Sequence, residues 1–379
     1  MVRKVFISSV FLALIFSIAL GTYFQTKDTF IPKLSRILSP KRLVSVSDLE
    51  SEIANQLWSK NMLIEFSGIT RKLLNLHLTD DRQFYKAQDG IVHLHQSTAS
   101  YELLLDTTAK LAKKLKQTKT PLIICQVAER AAYSDQFSPL FDVMTLEYVE
   151  PLKRIAMNND AYYFDYNQQL SGWNVQDIFF KTDIHLTTEA EFFILQRLVE
   201  LLEQEVGLHF SNKDIVLDPS QYEVATYSFL GNLGSNTGKI YTGVDQFTYL
   251  FPNFDTKMEM TTPFLASANT GTFEQVCMNR GREDHQNDIR TYRVTDYMQW
   301  PAPHYTIDNH LVSENRILVL GCSLSMRTMA YLTLLCNHVT VLDPRYFADV
   351  PYLAEAMENH YDAVILFAST NLHAGLGEF

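Results

Sequence analysis

The chain is poor in cysteine, in clustered positive charge and in low-complexity sequence, and each shortage narrows what it can be. Only four cysteines occur in 379 residues, Cys125, Cys277, Cys322 and Cys336, without the close, regular spacing of a disulfide framework or a zinc site. Three of them sit in apolar runs, so buried thiols are expected and the fold has to stand on its core. Lysine and arginine do not run beyond short pairs, and the formal net charge is −11. That balance argues against nucleic acid, because neutralising phosphates needs clustered cations. No internal repeat is visible, and no metal-ligand spacing stands out. A hydrophobic content of 46% over this length supports one large or two modest globular domains.

What is present begins with "MVRKVFISSVFLALIFSIALGTYF", in which Arg3 and Lys4 precede an apolar run from Val5 to about Phe24. A run of that length matches the bilayer core, and the basic residues before it predict an N-in, C-out orientation. Residues 1–24 read as an uncleaved signal anchor, with a cleaved signal peptide as the alternative, since "IALGTYFQT" offers only a mediocre cleavage site. Either reading exports the rest of the chain. Residues 25–60 are basic and Pro-punctuated, as expected of a juxtamembrane stalk.

Residues 61–379 read as an α/β domain. "ELLLDTTAKLAKKLKQT" is an amphipathic helix, and "DDRQFYKAQDGIVHL" a short hairpin around Asp89-Gly90. Beyond them "PLIICQV", "AYYFDYN", "RILVLGC", "VTVLDPRYF" and "DAVILFAS" are short apolar strands separated by helical patterns. Such alternation predicts a mainly parallel sheet sandwiched by helices. The helix "TTEAEFFILQRLVELLEQEV" can be capped by Thr187 or Thr188. Residues 211–310, rich in Tyr, Phe, Gly, Asn and Thr, are expected to form an insertion over the sheet's edge.

Three residues in this frame can act together. A serine hydroxyl needs a general base within reach, and that base is best oriented by a carboxylate. Asp183 and His185 flank Ile184 just ahead of the long helix, and in extended or loop backbone such a pair points to one side. Ser323 lies where "RILVLG" gives way to a helix, the carboxyl end of a parallel strand, where open α/β sheets place their ligands. Backbone N–H groups at that helix start, Leu324 among them, together with Gly231 N–H and the Asn232 amide from "SFLGNLGSNTG", can receive an oxyanion. Each feature has a plainer reading: Ser323 or Asp183 as a helix cap, His185 as its hydrogen-bond partner, the glycine-rich loop as a turn. Cys322 is a rival nucleophile, but strand alternation sends it inward and opens Ser323 to the cleft. Tyr227, Tyr241, Phe247 and Trp300 are either carbohydrate-groove aromatics or core.

These segments resemble a known family. "FFKTDIHLTTEAEFFILQRL" is similar to the "F-x-x-TD-x-HWT-x-x-GA" signature of the DHHW family and of the alginate O-acetylation proteins AlgJ and AlgX, in the SGNH-hydrolase-like superfamily. "YSFLGNLGSNTG" resembles its "F-x-GS" segment, "ILVLGCSLS" with "VTVLDPRYF" its "ILVIGDSFS" and "V-x-x-IDxRYY", and "FYKAQDGIVHL" its early "FYKGxDGWL". The pieces keep family order over roughly residues 80–370. The chain departs from the pattern at Leu186 for Trp, at Glu191 in place of the small-residue pair, at Cys322 for Asp or Thr, and at Gly231-Asn232 for Gly-Ser.

The resemblance implies a three-layer α/β SGNH-like fold with Asp183 and His185 ahead of Ser323, and an extracytoplasmic enzyme that moves acetyl groups onto or off a cell-surface polysaccharide. It implies no cofactor, a membrane-bound O-acyltransferase as donor partner, and a structural or substrate-facing role for Arg345. A single-pass cell-membrane location with the C-terminal domain outside follows from the anchor, or secretion if the signal is cleaved. The alternative is a non-catalytic glycan-binding or scaffold subunit on a degenerate hydrolase fold, suggested by the altered Trp and Asp positions.

Overall fold

The computed structural model describes residues 13, 16–24, 60–77, 84–87, 90–94, 101–128, 130–133, 148–263, 267–278, 289–290, 297, 304–343 and 352–369. Arg345, Trp300 and half of the N-terminal apolar run lie outside these residues; residues 16–24 are helical. Among the described residues no helix is long and apolar enough to cross a membrane.

The chain divides into two compact units. The smaller contains Met1–Asn75 and Asn236–Tyr241. Its helix Lys60–Leu73 (α1) presents Glu65, whose carboxylate accepts the N–H groups of Lys239 (3.1 Å) and Ile240 (3.3 Å). The buried Gly68 lies so close to residue 237 that a Cβ there would stand 2.8 Å from the Thr237 carbonyl oxygen.

The larger unit, Leu76–Ser235 with Thr242–Phe379, carries the sheet. Phe84–Lys86 (β1) and Val92–Leu94 (β2) form the expected antiparallel hairpin, with Gly90 at φ +89°, a conformation glycine takes without steric cost. The amphipathic helix Glu102–Thr118 (α2) buries Leu104, Leu111, Ala112 and Leu115. Leu122–Gln126 (β3) follows it, and Val149–Asn158 (α3) leads into Tyr162–Asp165 (β4). Helix Thr188–Leu201 (α4) starts where expected: the Thr187 hydroxyl accepts the Ala190 N–H at 3.2 Å.

The described part of residues 211–310 supplies five strands. Tyr222–Phe229 (β5) and Asp245–Pro252 (β6) pair antiparallel along their whole length, while Met258–Thr261 (β7), Asn269–Gly271 (β8) and His304–Asn309 (β9) join the main sheet. Arg316–Leu320 (β10), Met326–Leu332 (α5), His338–Leu342 (β11) and Ala363–Ala368 (β12) complete the order.

The central sheet has eight strands in the order β4-β3-β12-β10-β11-β9-β7-β8. The first five are parallel, as continuous apolar strands joined through helices require; β9 then runs antiparallel to β11, and β7 and β8 continue antiparallel. The fold is thus mixed α/β with a mostly parallel sheet. Its core is dominated by β3, β10, β11 and β12, whose side chains are almost all buried, and β10 lies between β11 and β12.

Candidate active site

Position 323 is set by β10. Leu320 is in register with Leu342 on β11 and Leu366 on β12, and the ladder continues one residue further through the Gly321 N–H to the Leu342 carbonyl (3.0 Å). Gly321 is needed for close packing: a Cβ there would meet Met329 Sδ at 2.9 Å and Phe367 at 3.1 Å. Cys322 is extended and fully buried, with Sγ 3.7 Å from Ser369 Oγ. A single 3-10 turn, Ser323–Ser325, then leads into α5. From Ile317 to Cys336 every residue is buried except Ser323. Strand alternation therefore sorts the two candidate nucleophiles as expected, the thiol inward and the hydroxyl outward. All four cysteines are buried thiols, and burial pushes the Cys277 thiol up to about 12 and that of Cys125 well above its ordinary value.

The other half of the site is a tight turn ahead of α4. A single antiparallel bridge joins Phe179 to Leu186, and the Phe180 N–H donates to the His185 carbonyl (3.3 Å), so the segment between them folds back on itself. Asp183 and His185 are both fully buried at its tip. Their side chains are hydrogen-bonded, His185 Nδ1 to Asp183 Oδ1, and the His185 backbone N–H donates to the same oxygen at 3.2 Å. With the carboxylate accepting at Nδ1, the neutral ring carries its proton there and leaves Nε2 as the basic nitrogen. Burial by itself raises the Asp183 carboxyl. The His185 ring, with the N–H groups of Asn232 and His185, outweighs burial and holds it below its ordinary value.

The glycine-rich loop turns out to be the seat of that aspartate. Asn232 N–H donates to Asp183 Oδ2 at 2.8 Å, and Gly231 N–H donates to the Thr182 hydroxyl at 2.9 Å. The Gly231 N–H, expected to face an oxyanion, is therefore committed to Thr182, for the reason that the loop lies directly on the Thr182-Asp183 backbone. A Cβ at position 231 would stand 2.4 Å from Asp183 Cβ and 2.5 Å from the Thr182 carbonyl oxygen. Asp245, at the start of β6, fixes the same segment from below: it accepts Lys181 N–H (3.0 Å), Thr182 N–H (2.7 Å) and Thr182 Oγ1–H (2.6 Å). The Asn232 side chain is exposed, whereas Leu324 is buried within the turn after Ser323.

Asp183, His185, Gly231 and Asn232 thus form one hydrogen-bonded cluster. Ser323 and Leu324 belong to the β10–α5 junction; α5 packs against α4, and its Arg327 donates to the carbonyl of Leu186, the residue after His185, at 2.5 Å. Thr182, Asp245, Glu191 and Arg327 are the residues that sequence reasoning did not assign. The Thr182-Asp183 pair in "KTDIH" was the available signal for the first; nothing local marks the others. Of the aromatics considered for a sugar groove, Phe247 is core, stacked on Phe180 at 5.5 Å between ring centroids, and Tyr241 is buried in the smaller unit. Tyr227 is half-buried. Among the described residues no three His, Cys, Asp or Glu side chains gather as metal ligands would. A cavity of about 870 Å³ beside α4, lined by Phe193, Gln196, Arg197 and Glu200 among others, contains none of the site residues.

Neither a protein-family model nor a curated protein sequence matches the chain. Solved structures do. PatB1 of Bacillus cereus superposes with a TM-score of 0.58 at 15% identity, covering 76% of this chain and 96% of PatB1. The same protein carrying a sulfonyl adduct gives 0.57 at 15% identity, over 76% of this chain and 94% of that one. A DHHW family protein of Eubacterium siraeum gives 0.51, again at 15% identity, over 71% of this chain and 86% of its own. At this identity the likeness shows the fold: the chain is a mixed α/β protein folded like PatB1 and the DHHW family protein.

Proposed function

We propose that the chain is an extracytoplasmic O-acetyltransferase or acetylesterase acting on a cell-surface polysaccharide, with Ser323 as nucleophile, His185 as general base and Asp183 as the carboxylate that orients it. The observation that supports the reading is the fully buried Asp183–His185 pair, held by the Asn232 N–H, on a turn whose Leu186 carbonyl accepts from Arg327 in the helix that follows Ser323. In the first step Ser323 Oγ forms a bond to the acyl carbon of the donor while its proton passes to His185 Nε2. The tetrahedral oxyanion is received by the Leu324 N–H and the exposed Asn232 side chain; Gly231 contributes by letting the loop close on Asp183. Collapse expels the donor's leaving oxygen, which takes the proton from His185, and acetyl-serine remains. A sugar hydroxyl or water then attacks that ester, giving its proton to His185, and Ser323 leaves with it. Exclusion of water decides between transfer and hydrolysis.

An N-terminal anchor keeps such a site at the membrane, within reach of a membrane-bound O-acyltransferase that supplies acetyl groups. The departures at Leu186 and Cys322 favour one other reading, a glycan-binding or scaffold subunit without turnover. The two separate on purified residues 25–379 and the Ser323→Ala variant, assayed for release of p-nitrophenol from its acetate ester. Loss of turnover confined to the variant supports the nucleophile; equal turnover in both removes it, and no turnover in either favours the scaffold.

A further inference from the structure

Arg327 and Glu191 are the most deeply buried opposite charges among the described residues: both side chains are fully inaccessible and the guanidinium Nη2 donates to Glu191 Oε1. Arg327 lies four residues after Ser323 and Glu191 six after His185, so the pair joins the helix behind the nucleophile to the helix behind the base. The same Nη2 donates to the carbonyl of Leu186, the residue next to His185. Thr328 adds its backbone N–H to Glu191 Oε2 at 2.9 Å. The guanidinium carbon lies 5.7 Å from the ring centroid of Phe180, the residue that closes the base-bearing turn, and 5.4 Å from that of Phe247. One side chain therefore touches both ends of the turn that presents His185.

Stability does not account for this arrangement. Taking two charges out of water costs more than their attraction returns unless every donor is satisfied, and packed apolar residues often do as well or better. Here Nε and Nη1 of Arg327 meet no acceptor among the described residues. Burial also pushes the Glu191 carboxyl up, and the opposing pull of Arg327 and the Thr328 N–H does not cancel it. What the pair supplies is geometry: a planar, rigid group whose Nη2 fixes a backbone carbonyl and a carboxylate at once.

We infer that Arg327, clamped by Glu191, is a positioning residue that sets the distance and angle between the Ser323 hydroxyl and the His185 ring, so that breaking the clamp slows acyl transfer without weakening substrate binding. The inference rests on the proposed roles of Ser323 and His185. A loss of alignment on the order of 1 Å lowers turnover ~10²-fold.

The test compares wild type, Arg327→Met, Arg327→Lys and the charge-neutral double variant Arg327→Met with Glu191→Met, in p-nitrophenyl acetate hydrolysis and in the rate of Ser323 modification by a phenylmethanesulfonyl reagent, with thermal melts as a folding control. The double variant is expected to remain folded, with KM within about twofold and kcat lowered ~10²-fold, and sulfonylation slowed in parallel. Arg327→Lys keeps the charge and loses the branched reach to Leu186, so its kcat falls ~10-fold or more while its melting temperature stays near wild type. A folded double variant or Arg327→Lys protein with wild-type kcat overturns the inference; if the double variant does not fold, the lysine variant decides. Ser323→Ala separates the two levels: activity in that variant removes the functional reading itself, whereas an inactive Ser323→Ala beside fully active Arg327 variants removes only the clamp.

Discussion

One methyl group added at position 231 probes how Asp183 is held. In Gly231→Ala the new Cβ would lie 2.4 Å from Asp183 Cβ, 2.5 Å from the Thr182 carbonyl oxygen and 2.6 Å from Asp183 Oδ2. Ordinary contacts need about 3.5–4.0 Å, so something must move by about 1 Å. Thr182 resists: its carbonyl accepts the Gly234 N–H at 2.9 Å, and Asp245 holds both its N–H and its hydroxyl. The loop and the Asp183 carboxylate are left to part, which breaks the Asn232 N–H bond to Oδ2 and turns the carboxylate away from His185. Overpacking of this kind costs about 1–3 kcal/mol of stability. A misplacement of about 1 Å costs ~10²-fold in rate, and complete loss of the orienting carboxylate in serine proteases costs ~10⁴-fold. The expected kcat for ester hydrolysis is therefore lowered by a factor between these two, with the protein still folded at 25 °C. Measurement of kcat beside a thermal melt checks this. A folded Gly231→Ala protein with wild-type kcat refutes the role given to the loop.

Two further outcomes follow from the same geometry. Asp183 binds fewer protons folded than unfolded, so its contribution to stability is complete above its unfolded-state value, about pH 3.9, and is lost as the pH falls from there through its lower folded-state value. The stability difference between wild type and Asp183→Asn is accordingly largest near neutrality and narrows below about pH 4; a difference that ignores pH in urea melts contradicts the depressed carboxyl. Cys322 points into the core beside Ser369, so Cys322→Ala retains turnover within about threefold, and thiol reagents modify the wild-type protein only on unfolding. Rapid labelling of the native protein at Cys322 with loss of activity contradicts its placement.

The parallel half of the sheet was legible because β3, β10 and β12 are short apolar runs followed by turn signals, and the start of α4 was legible because Thr187 is a good cap. Strands β7, β8 and β9 were not, since they are short and partly polar, and β9 finds its partners β7 and β11 across long stretches of chain. The Asp183–His185 pair is a local motif two residues apart, and its hydrogen bond follows from that spacing. The Gly231 N–H donates to Thr182 and not to an oxyanion, and only the approach of two loops separated by 49 residues shows where a Cβ would fall. Glu191 and Arg327 are separated by 136 residues, and each reads locally as one more charge on an amphipathic helix.

The central claim is that Ser323, and no other residue, becomes acylated with His185 as its base. Incubating residues 25–379 with a sulfonyl fluoride, and separately with p-nitrophenyl acetate under acid quench, followed by peptide mass mapping, tests it directly. The account predicts one adduct, on the peptide containing Ser323, formed at a rate that drops at least ~10²-fold in His185→Ala. An adduct on Cys322 or elsewhere, or unchanged labelling of Ser323 in His185→Ala, contradicts it.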